Sequence, residues 1–174
     1  MGGMDTWGEL RLHLDRQLPP VRRSGYGRRP ARPGERSEAS GTRETGGMNR
    51  ARVAVIDDEP ELLGLVGEIL ASEGFSVQAF THPASVAPLM HREARPDLFL
   101  VDIMLPRITG IDLASLLNEN GFARTPKIAM SASPERLEEA RRPGLFQLSL
   151  EKPFDVRELL TVVGNACPGL APAG

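Results

Sequence analysis

Cysteine is all but absent: Cys167 stands alone near the C-terminus, which excludes a disulfide framework and any metal site assembled from several thiolates. No apolar run approaches the roughly 20 residues needed to cross a bilayer, and the N-terminus lacks an apolar core flanked by a small-residue cleavage site. A soluble cytoplasmic chain with no membrane partner is therefore expected. Lysine is nearly as scarce as cysteine, with Lys127 and Lys152 set against 19 arginines. A lysine at a functional position thus reads as chosen for its compact ammonium over the broad guanidinium fork.

What is present falls into two materials. Residues 1–47 hold nine Arg and six acids, net +3, with nine of the 18 Gly. From Met48 onward there are 12 basic and 17 acidic residues, net −5, and all six Phe. The first stretch has too little apolar material to offset the entropy of ordering it, and reads as a disordered Arg/Gly/Pro-rich extension. Its Arg clusters around Tyr26 would suit an anionic surface or a nucleic acid, but Glu35, Glu38 and Glu44 dilute the charge, so nucleic acid is not the expected partner. Met48-Asn49-Arg50 opens directly onto the first strand and could be the true start, which would make residues 1–47 a start-site artefact. The domain is expected over 48–167, with 168–174 as a tail.

Within 48–167, apolar runs alternate with helical periodicity. Strands are expected at Arg52–Ile56, Phe75–Phe80, Asp97–Asp102, Lys127–Met130 and Leu145–Leu150. Helices are expected from Pro60 to the Gly74 stop, over Thr81–His91 with a kink or early end at Pro88, and from Ile111 to Asn120-Gly121. Two more follow, from the Ser133 N-cap to Arg142 and from the Asp155 capping box. The helix after Ser133 carries only Leu137 and Ala140 as apolar anchors. Five βα units at this spacing give a doubly wound parallel α/β sheet with helices on both faces.

Three strands end in matching chemistry: Asp57 and Asp58 on the first, Asp102 on the third, Lys152 just after the fifth. Ser131 ends the fourth. Carboxyl ends of neighbouring parallel strands share one crevice. Clustered carboxylates without Cys or His suit a hard cation, best Mg2+. Beside it, a lone ammonium and a hydroxyl make a phosphoryl-binding site in which Asp102 can act as nucleophile and form an acyl phosphate.

The motifs Val-Ile-Asp57-Asp58-Glu59-Pro60, Val-Asp102-Ile-Met-Leu-Pro106-Arg-Ile-Thr-Gly110, Met130-Ser131-Ala132 and Glu-Lys152-Pro153-Phe154 together resemble the receiver domain of two-component response regulators over the whole of 48–167. The interval of 44 residues from Asp58 to Asp102 fits the same family. The resemblance implies a flavodoxin-like sheet in the order 2-1-3-4-5. Asp102 would accept a phosphoryl group from a sensor histidine kinase or histidine phosphotransfer protein. Mg2+ would be held by Asp57, Asp58, Asp102 and the backbone carbonyl of Met104. Ser131, Ala132 and Lys152 would bind the phosphoryl group, and the Lys152–Pro153 peptide would be cis. The face built from the fourth helix, fifth strand and fifth helix would change on phosphorylation and is the candidate face for a homodimer or an unknown downstream protein. No catalysis beyond self-phosphorylation and autodephosphorylation is implied.

Two residues depart from the pattern. Of the two switch positions, Ser131 is retained, but Ser149 replaces the usual aromatic and Phe146 is not at that spacing. Thr109 replaces the acid common before the loop glycine. Only seven residues follow Cys167, too few for a helix-turn-helix, so a stand-alone receiver acting through protein contacts is expected. Two alternatives are a receiver regulating nucleic-acid binding through residues 1–47 and a haloacid-dehalogenase-like phosphohydrolase. The latter normally has a second Asp two residues after its nucleophile, where this chain has Met104 after Asp102 and Glu59 after Asp57.

Overall fold

The structure is a computed structural model and describes residues 50–90 and 95–168; the expectations for residues 1–47, for His91 and for most of the tail lie outside that range. Five parallel strands, β1 Arg52–Ile56, β2 Ser76–Phe80, β3 Leu98–Asp102, β4 Lys127–Ser131 and β5 Leu148–Glu151, form one sheet in the order β2-β1-β3-β4-β5. The central strands β3 and β4 are buried along their whole length, as continuous apolar runs require when both sheet faces are covered. The edge strand β2 is mostly open, in line with its alternating sequence.

Helix α1, Pro60–Ser72, starts on Pro60, whose missing N–H is no loss in a first turn, and Gly74 at φ 88° ends it. Its Leu63, Val66 and Leu70 cover one sheet face together with Leu159 and Val163 of α5, Val156–Ala166. The opposite face is covered by α2, Pro83–Met90, by α3, Gly110–Leu117, and by α4, Pro134–Ala140. Both capping residues expected from sequence are in place: the Ser133 side chain accepts from Arg136 N–H, and Asp155 and Glu158 form a reciprocal box.

Three elements differ from expectation. The second helix is 3₁₀ throughout, because Pro88 has no N–H to give and its ring crowds the preceding turn. The third helix runs past Leu117 into one wider turn over Asn118–Phe122, within which Gly121 leaves helical geometry at φ 88°. The fifth strand begins at Leu148 rather than Leu145; Phe146 instead packs between the α3-side core and the small cluster of Ile103, Ile111, Ala129, Leu137 and Ala140 beneath α4.

Lys127, read from sequence as the head of an apolar strand, is fully buried. Its Nζ donates to the carbonyls of Phe122 (2.6 Å) and Thr125 (2.9 Å). Burial lowers its pKa from 10.5 to about 8.

Candidate functional site

The parallel register brings the carboxyl ends of β1, β3, β4 and β5 to one edge. Ile56 sits beside Val101, Asp102 beside Met130, and Ser131 beside Glu151, so the residues just past each strand converge. Asp57 and Ser131 are fully buried and Asp102 is 4% exposed. Such carboxylates are costly without partners, and Lys152 supplies the partner. Its Nζ lies 2.7 Å from Asp57 Oδ2 and 2.9 Å from Asp102 Oδ2. The remaining oxygens are also engaged: Asp57 Oδ1 accepts the Glu59 N–H at 3.0 Å and Asp102 Oδ1 the Met104 N–H at 2.9 Å. Each carboxylate plane is thus fixed on both sides.

The electrostatics follow from this geometry. Burial pushes the Asp57 carboxyl up, against the hydrogen bond from Lys152. Burial alone would pull Lys152 down, but the bonds to Asp57 and Asp102 and their charges outweigh it and hold the ammonium above its usual range.

The loop after β3 is shaped by its backbone. Gly110 N–H donates to Ile103 O at 3.0 Å, and a Cβ on Gly110 would lie 2.2 Å from the Asp102 carbonyl oxygen, so only glycine allows the loop to fold back on β3. Thr109, the departure with no evident effect in the sequence, caps α3. Its Oγ1 accepts the Asp112 N–H, and its own N–H and hydroxyl donate to the Asp112 carboxylate. Across the crevice, Lys152 N–H donates to Ser131 O at 2.9 Å, Ser131 Oγ accepts the N–H of Ser133 at 3.1 Å, and the Lys152–Pro153 peptide is cis.

The structure sets Asp57, Asp102 and Lys152 in direct contact, with Ser131 on the neighbouring strand. Of the other residues singled out, Ala132 is exposed, Ser149 is half-buried on β5, and Met104 lies beside Asp102 and is 58% exposed. Asp58 is exposed and contributes no oxygen to the acidic cluster, which consists of Asp57, Glu59 and Asp102 with ligand oxygens within 4.8 Å of one another. Glu59 was not singled out from sequence. The available signal was the third acid in the run, but only the turn geometry selects which acid faces the ammonium. Three convergent carboxylate oxygens are a hard donor set, so the residues present fit a small divalent cation.

Residues 53–164 match the family model described as the response regulator receiver domain. The chain belongs to that family. Among curated relatives, the DNA-binding response regulator MtrA of Mycolicibacterium smegmatis is 33% identical over 122 residues, which is 66% of this chain and 49% of MtrA. The regulatory protein VanRc of Enterococcus gallinarum is 36% identical over 113 residues, 64% of this chain and 48% of VanRc. This chain therefore spans about half the length of these relatives. Among solved structures, the chemotaxis protein CheY4 of Vibrio cholerae superposes with a TM-score of 0.59 at 23% identity, covering 67% of this chain and 98% of that one, a likeness of fold. The receiver assignment places the chain in two-component signalling, where such domains interact with histidine kinases or phosphotransfer proteins and are typically signalling modules rather than enzymes.

Proposed function

We propose that this receiver accepts a phosphoryl group on Asp102 from a phosphohistidine of a sensor kinase or phosphotransfer protein, and signals through phosphorylation-dependent protein contacts. The observation that carries this reading is the single ammonium of Lys152 joining two nearly buried carboxylates at the sheet edge. Asp102 is the nucleophile: an Asp102–phosphorus bond forms as the phosphorus–nitrogen bond of phosphohistidine breaks, and the imidazole leaves with a proton. Lys152 neutralises a phosphoryl oxygen, and the Ser131 hydroxyl and Ala132 N–H donate to others. Asp57, Asp58 or Glu59, Asp102 and the Met104 carbonyl would hold Mg2+, which supplies charge neutralisation when bound. A response at the α4–β5–α5 face is supported by the thin anchoring of α4 through Leu137 and Ala140 and by the cavity of about 380 Å3 that these residues share with Phe146 and Ser149. That face is also the proposed surface for a downstream protein or a second copy.

Incubation with acetyl phosphate and Mg2+, read by intact mass, should add one phosphoryl group to the wild type and none to Asp102→Asn. The same adduct on Asp102→Asn would overturn the assignment, with circular dichroism confirming that the variant is folded.

A further inference from the structure

Glu59 occupies the N-cap position of α1, where a side-chain oxygen can turn back to accept an N–H of the first turn. It makes no such bond. Its Oε1 lies 3.4 Å from Lys152 Nζ instead, so the ammonium faces three carboxylates. A lysine ammonium has three N–H donors and no more, and here each has an acidic partner. The partners differ in how firmly they are held. The side chains of Asp57 and Asp102 are 0% and 6% exposed with contacts below 3 Å, whereas Glu59 is 65% exposed and has the longest contact. A phosphoryl oxygen arriving at Lys152 needs one of these three donors, and Glu59 is the partner that can withdraw into water at least cost. Three carboxylates and one ammonium also leave two uncompensated negative charges, which attract a divalent cation and repel a phosphoryl group.

Resting on the phosphoacceptor reading, we propose that Glu59 is a positioning residue of this pocket. Its carboxylate occupies the third donor of Lys152 until a phosphoryl oxygen displaces it, and its charge strengthens the attraction for the cation. Removal of that charge therefore has opposite effects on the two ligands. In Glu59→Gln, Mg2+ binding measured by calorimetry should weaken about two- to fivefold, while beryllium trifluoride, a phosphoryl mimic followed by fluorine NMR at saturating Mg2+, should bind about two- to fivefold more tightly, the range expected of an exposed ion pair. Both differences should shrink at high salt. A merely structural role would weaken both ligands together or neither. Beryllium trifluoride binding that is equal or weaker in Glu59→Gln than in the wild type would overturn the role of Glu59. Failure of the wild type itself to bind beryllium trifluoride with Mg2+ would overturn the phosphoacceptor reading instead.

Discussion

Replacing Lys127 by Met tests the most unusual feature of the core. The ammonium is fully buried, bonded only to the carbonyls of Phe122 and Thr125, and no carboxylate pairs with it among the described residues. Burial disfavours its charged form and lowers the pKa from 10.5 to about 8, a difference equivalent to about 3 kcal/mol. Below pH 8 both the folded and the unfolded chain carry the proton, and the full penalty is present. Between pH 8 and 10.5 the folded chain has lost the proton while the unfolded chain still binds it, so stability rises with pH through this window. The neutral amine keeps two N–H groups and can still serve both carbonyls.

Lys127→Met removes the charge but takes the donor from the Thr125 carbonyl, at about 1–3 kcal/mol, while the Phe122 carbonyl keeps the N–H of Thr125, so at pH 7 the two proteins should differ little. By pH 10.5 the wild type should have gained up to about 3 kcal/mol on the variant. Urea unfolding of both proteins across this range reads the difference, in which contributions common to both, such as those of Cys167 and Lys152, cancel. A difference that stays flat with pH would refute the reasoning, because the ammonium would then not be desolvated.

Gly110→Ala should destabilise by at least about 1–3 kcal/mol, since its Cβ would collide with the backbone at Asp102 and Ile103; an unchanged urea midpoint would contradict that packing. Lys152→Met leaves Asp57 and Asp102 buried without their counter-charge and should cost about 3–5 kcal/mol at pH 7. Burial already raises the Asp57 carboxyl and Lys152 opposes that rise, so in the variant the deficit should shrink as pH falls toward the ordinary 3.8 of Asp57 and should also shrink with added Mg2+; thermal melts under the three conditions check both.

Much of the fold was legible because strand ends and helix caps are written in local chemistry. Pro60, Ser133 and Asp155 mark helix starts through their own backbone and side-chain limits, and the buried runs of β3 and β4 need no partner to be recognised. The convergence of Asp57, Asp102, Ser131 and Lys152 was legible because parallel strands deliver their ends to one edge. What was not legible depends on neighbours distant in sequence. Lys127 is tolerated in a strand because the chain turn at Gly121 and the loop to Thr125 aim carbonyls at it, an arrangement with no residue signature. Phe146 leaves the strand because a second core cluster lies within its reach. Among Asp57, Asp58 and Glu59 the sequence shows only adjacent acids, and the turn into α1 decides that the first and third face the ammonium while the second stays in water. Thr109 is the reverse case. Its capping box with Asp112 is local, three residues apart, and is written in the sequence.

The bond from Lys152 N–H to the Ser131 carbonyl ties the end of β4 to the residue that follows β5. Because both partners are main-chain atoms, the span from hydroxyl to ammonium does not depend on which side chains line β5. The side chains of Ser149 and Glu151 take no part in that bond, so a change of side chain at either leaves the main-chain tie across the sheet edge in place.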